Sequence, residues 1–197
     1  HDADVALVTW EEEDFAAAER LLTECIRLNP GAGWLHAERA SLRLLLYREQ
    51  GQQDPARLES ARTDLDIAAE FLPNNAGIRE DRLKLNLDLG ALDRCETDLE
   101  GLKRLAADTP STYVCAGQLR LAQGRKEEAL AETRRGLALF PDETLDLAAQ
   151  EQKLLDGAEA GRPELLALVQ LLRLKQQIEA PPAKPQEETP KAQGPEL

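Results

Sequence analysis

The stretch 110-PSTYVCAGQLRLAQGRKEEALAETRRGLALFPDE-143 decides how this chain folds. Thr109-Pro110 reads as a capped helix start, because a threonine oxygen accepts from the first unpaired amides and proline suits the first turn. Gly124 interrupts the segment at an inter-helix turn, and Pro141 closes it. Between such breaks, apolar side chains recur at three- and four-residue steps throughout the chain, as in Phe15, Ala18, Leu22, Cys25 and Ile26, or Leu58, Ala61, Leu65 and Ala68. That spacing places one face of each helix against a neighbour. Gly117 and Ala129 are small, and helix backbones cross closely only where side chains are small.

Working outward, the same residue sizes return at a fixed interval. Leu83 and Gly117, Gly90 and Gly124, Cys95 and Ala129, Leu99 and Thr133, and Leu102 and Gly136 are each 34 apart. Ala61, Leu65 and Ala68 lie one interval before Cys95, Leu99 and Leu102. Ala18, Leu22 and Cys25 lie 43 before those, as Pro30 lies before Pro73. Nine extra residues therefore sit near Glu49 to Asp54, a polar stretch that lengthens a loop or its flanking helices without disturbing packing.

A helix-turn-helix period of 34, with small residues at the crossing and proline at the close, resembles the tetratricopeptide repeat. The resemblance covers roughly residues 1–143 in four units: 1–32, 33–75 with the insertion, 76–109 and 110–143. The last matches best; 76–109 carries Leu83 where Gly117 stands and Ala107 where proline is usual. It implies an all-α, right-handed superhelical solenoid of about ten helices. Residues 144–179 read as a degenerate unit, with a helix near Asp142–Asp156, followed by a C-terminal capping helix. Residues 180–197, with five of the eleven prolines, read as a flexible tail.

Composition agrees. Leu (36) and Ala (29) dwarf Val (4) and Ile (4), which excludes all-β and Rossmann-like folds. Twenty-four basic against 37 acidic residues leave a net charge of −13, which disfavours nucleic acid and anionic lipid as partners. No run approaches the roughly 18 uninterrupted apolar residues of a spanning helix, so direct membrane insertion is not expected. Cys25, Cys95 and Cys115 lack metal or redox spacing and read as packing residues. His36, the one histidine away from the first position, has no nucleophile motif beside it and reads as a solvated or half-buried helix residue. No phosphate loop, metal constellation or isolated carboxylate pair appears, so neither catalysis nor a cofactor is expected.

The resemblance implies a concave face lined by each unit's first helix: Leu7 and Trp10, then Trp34, Ala37, Ser41 and Leu44, then Lys84 and Leu87, then Val114, Gln118 and Leu121. The two tryptophans would anchor a guest, tryptophan being rich in buried area. Some members of the family hold a chaperone's terminal carboxylate with Lys, Asn and Arg, but the corresponding places here are Ala37, Ser41, Asp81, Ser111 and Cys115. The acidic excess favours a protein partner whose apolar segment has basic flanks. Leu165, Leu168, Val169 and Leu172 crowd one helix, which either is buried by its neighbours or forms a second interface, for instance in a homodimer.

The expected role is a non-catalytic scaffold or adaptor holding a partner's peptide or helix. The alternatives are a secretion-type chaperone shielding apolar segments, and a regulatory or targeting domain of a larger polypeptide. The absence of methionine implies a processed or truncated start. The compartment stays open, with bacterial envelope after signal removal set against cytoplasm.

Overall fold

A computed structural model describes residues 12–49, 54–106, 108–140, 155 and 164–180. Apart from Leu155 and the connecting turns, they form eight helices: α1 (Glu12–Leu28), α2 (Gly33–Glu49), α3 (Pro55–Phe71), α4 (Ala76–Asp88), α5 (Leu92–Leu105), α6 (Pro110–Ala122), α7 (Lys126–Leu137) and α8 (Glu164–Glu179). Three starts are capped by side chains. Asp54 accepts from the Ala56 N–H, Asn75 from Ile78 and Thr109 from Thr112, and Pro55 and Pro110 take the first helical positions. The turns inside the last two hairpins match. Gly90 and Gly124 adopt φ of +69° and +75°, which bulkier residues resist, and the amides of Ala91 and Arg125 close back on Asn86 and Arg120 carbonyls, each at 2.8 Å.

Helices α2 and α3, α4 and α5, and α6 and α7 pack as antiparallel hairpins, and each hairpin packs on the next. Their first helices begin at Gly33, Ala76 and Pro110, so the regular interval separates the second start from the third and the insertion lengthens the first step. The extra length in the first hairpin goes into the helices as well as the turn. Helix α2 has 17 residues where α4 and α6 have 13, and α3 has 17 where α5 has 14. Where helices cross, Ala40, Ala61, Ala68, Cys95 and Ala129 are completely buried. A Cβ added to Gly117 would stand 2.7 Å from Leu174 Cδ2 and 3.0 Å from Thr133 Oγ1.

The expected helix near 142–156 lies outside the described residues except Leu155, which packs against the α6–α7–α8 core. Helix α8 lies in the cleft between α6 and α7, as α6 itself lies against α4 and α5. It thus takes the place of a following unit's first helix. Two expectations need correction. Cys25 is exposed rather than packed, because α1 covers α2 with its other face. His36 is buried rather than solvated, because its ring bonds to a carboxylate presented by α3.

Candidate functional site

The first helix of each hairpin turns one stripe of side chains inward, and α8 extends the row. Together they wall a groove of about 790 Å³. Helix α4 contributes Lys84, Leu87 and Asp88; α6 contributes Gln118, Leu121 and Ala122; α8 contributes Gln170, Arg173, Leu174 and Gln177. Arg48 reaches in from α2, on the turn that the longer hairpin adds. A smaller hollow of about 420 Å³ adjoins it, sharing Lys84 and Gln170 and bounded by Glu80, Ser111 and Leu166.

The groove's charges constrain each other. Burial works to discharge Lys84, but its bond to Glu80, at 2.5 Å, prevails and holds the ammonium above its ordinary value. Burial raises the Asp81 carboxyl despite the nearby Lys84, and it raises Asp88 despite Arg48. Beneath the groove, burial pushes the Cys115 thiol up to about 12, so it is neither thiolate nor nucleophile at neutral pH. Cys95 is raised to about 11 for the same reason.

A second constellation lies inside the hairpins. Asp64 of α3, 1% exposed, accepts from His36 Nδ1 at 3.0 Å, Arg39 Nη2 at 2.7 Å and Arg43 Nη1 at 2.8 Å. One interval later, Asp98 accepts from Arg82 Nε at 3.0 Å and lies 3.8 Å from Arg79. One interval further, Glu132 pairs with Lys103 at 3.2 Å and Arg135 at 3.4 Å. Asp64 and Asp98 face the fourth and seventh residues of their own unit's first helix. The His36–Asp64 contact is therefore one rung of a repeated structural pairing, with two guanidinium groups competing for the same carboxylate. Among the described residues, no three His, Cys, Asp or Glu groups come together to hold a metal. None of the described helices is long and apolar enough to cross a membrane.

Of the residues expected to line the groove, Lys84, Leu87, Gln118 and Leu121 meet there. Trp34 is 59% exposed at the start of α2, and Ser41 is exposed on the same helix, but neither lines the groove. Ala37 and Leu44 are half-buried against the α2–α3–α4 core. Leu7 and Trp10 lie outside the described residues. Val114 is a correction: α8 covers it, and it belongs to the core with Leu137, Phe140 and Leu168. Leu165, Leu168, Val169 and Leu172 are a further correction. All four are buried against α6 and α7, so they offer no surface to a second copy. Leu166 remains half-exposed on that helix.

Sequence reasoning missed Arg48 and the α8 wall. Both left signals. Arg48 stands two helical turns beyond Ser41, which keeps it on the same stripe, and Gln170, Arg173 and Gln177 are the narrow polar sector of an otherwise apolar helix.

No family model and no curated protein matches the sequence. Solved structures do match its shape. The crystal structure of MamA is 14% identical over 84% of this chain and 90% of that one, with a TM-score of 0.57. The MamA RS-1 ArsTM double mutant is 12% identical over 85% and 88%, with a TM-score of 0.56. TTC0263, a thermophilic TPR protein in Thermus thermophilus, is 24% identical over 72% and 71%, with a TM-score of 0.56. Hairpins that recur at the interval read from the sequence, small residues at their crossings and this likeness in shape identify the fold as that of the tetratricopeptide-repeat proteins.

Proposed function

We propose that this chain is a non-catalytic interaction scaffold whose groove between α4, α6 and α8 holds a segment of another protein. The groove itself is the observation that carries this reading: three helices that differ in sequence position converge to present leucines, amides and charges on one concave wall. Leu87, Leu121 and Leu174 supply apolar contact. Gln118, Gln170 and Gln177 supply both donors and acceptors, matching a peptide backbone that has unpaired groups of its own. An extended segment has such groups and a helix does not, so the walls favour an extended guest with apolar side chains. Basic flanks on that guest would meet the acidic exterior of a protein carrying −13.

The mixed polarity of the walls favours a scaffold over a chaperone that shields long apolar stretches, for which a continuous apolar lining is the better match. Burial raises the thiols of Cys115 and Cys95, so neither of these two side chains is a nucleophile at neutral pH.

The test is a pair of substitutions, Gln118→Arg at a half-buried position and Gln177→Arg at an exposed one, with Leu21→Ala on α1 as control. The groove variants are expected to lose at least about tenfold in capture of partner proteins from lysate, or about 1.4 kcal/mol of binding, while keeping the parent's helicity. Undiminished capture by both groove variants removes the groove from consideration.

A further inference from the structure

The hollow of about 420 Å³ beside the groove shares Lys84 and Gln170 with it, so a chain lying along one can set a side chain into the other. Four helix ends meet there, and three of them carry alanine at the meeting point. Ala76 opens α4, Ala106 closes α5 and Ala167 lies in the first turn of α8, while α6 begins at Pro110. Small side chains at those ends leave the space open. Leu102, 1% exposed, belongs to its wall. So does Leu166, which stands apart on its own helix: every other leucine, valine and isoleucine of α8 is buried, whereas Leu166 is 48% exposed.

The polar groups of the wall make no demand for a charged guest. Lys84 donates to Glu80 at 2.5 Å, and Thr109 Oγ1 bonds the Ala106 carbonyl at 3.2 Å and accepts from the Thr112 amide. Ser111 and Gln170, the other two, are uncharged and half-buried. A charged side chain entering the hollow would give up water for a wall whose one ammonium and one carboxylate already neutralise each other. An apolar side chain would gain by leaving water and by covering Leu166. Building on the groove reading, we propose that the hollow is the anchor pocket for the same guest. It takes one large uncharged apolar side chain from the extended segment that lies along Gln118 and Gln177, and Leu166 is the residue that selects it.

The full chain is titrated with N-acetyl-leucine amide, and separately with the similarly shaped but polar N-acetyl-asparagine amide, while the Leu102 and Leu166 methyl resonances are followed by NMR. The leucine probe is expected to give a saturable shift, with the asparagine probe at least tenfold weaker. Leu166→Gln is expected to weaken the leucine probe at least fivefold with helicity unchanged, and Leu166→Met to keep it. The proposal is overturned if the leucine shift does not saturate, if both probes act alike, or if Leu166→Gln binds as the parent does. Each of these outcomes leaves the hollow to water and the groove reading intact. Gln177→Arg separates the two, because Gln177 lines the groove and not the hollow. It is expected to lower capture of partner proteins while leaving the leucine titration as it was. Capture that survives both Gln118→Arg and Gln177→Arg counts against the groove. Capture lost in Gln177→Arg but kept in Leu166→Gln shows a guest that bypasses the hollow, and overturns the anchor.

Discussion

At the scale of single residues, glycines with different jobs separate cleanly. Gly117 is required for space, since any Cβ meets Leu174 at 2.7 Å and Thr133 at 3.0 Å. Gly90 is required for conformation, since φ is +69° but nothing lies within 4 Å of an added Cβ. Gly117→Leu is expected to cost about 1–3 kcal/mol or more by overpacking, and Gly90→Ala about 1–2 kcal/mol through its left-handed backbone alone. For a chain of this size each kcal/mol lowers the melting temperature by about 2–4 °C, measurable by circular dichroism. An unchanged midpoint in Gly117→Leu is incompatible with the crossing described. The spacing of 34 made Gly117 visible in sequence. The side chain it makes room for, Leu174 on α8, was not visible, because it lies more than one whole unit further along the chain and nothing local links the two.

Among the elements, α8 does what the repeat pattern alone does not announce. Its apolar residues surround most of the helix, which suits burial on two sides, and Leu168, Val169 and Leu171 are completely enclosed. Leu171 also lies 2.9 Å from where a Cβ on Gly136 would be, so α8 seats in α7 through a second glycine. Leu168→Ala is expected to cost about 2–5 kcal/mol, as a buried leucine truncation does. Urea denaturation checks this through a lower midpoint at unchanged slope. A loss below about 0.5 kcal/mol, the usual range for surface positions, would place α8 on the outside instead. The same helix forms one groove wall, so the cap of the core is also part of the candidate site.

Across the whole molecule, acidic groups of opposite behaviour set the response to pH. Burial works to raise Asp64, yet the bonds from Arg39 and His36 and the charge of Arg43 win and hold it below the usual carboxylate range. Its contribution is therefore present above about pH 4, the unfolded value, and lost as pH falls through the folded one. Asp81 and Asp88, raised by burial, act with the opposite sign: they take up protons more readily when folded, so acidification through their raised values stabilises the fold. Melting temperature between about pH 7 and pH 3 is expected to rise slightly and then fall steeply. Asp64→Asn should remove much of the steep fall and cost about 3–5 kcal/mol at neutral pH, because two guanidinium groups lose their buried partner. An acid limb identical to the parent's would show that Asp64 is not a principal titrating group. The amino-acid sequence by itself determined the helices, their caps, the interval of 34 and hence the stacked hairpins, because side-chain size and spacing along a helix are covalent facts. Only the tertiary structure decided which apolar faces are surface and which are interior. Val114, Leu165, Leu168, Val169 and Leu172 are equally apolar wherever they sit, and their exposure depends on which distant helix arrives to cover them. The groove's Arg48 and its α8 wall follow from the same arrival.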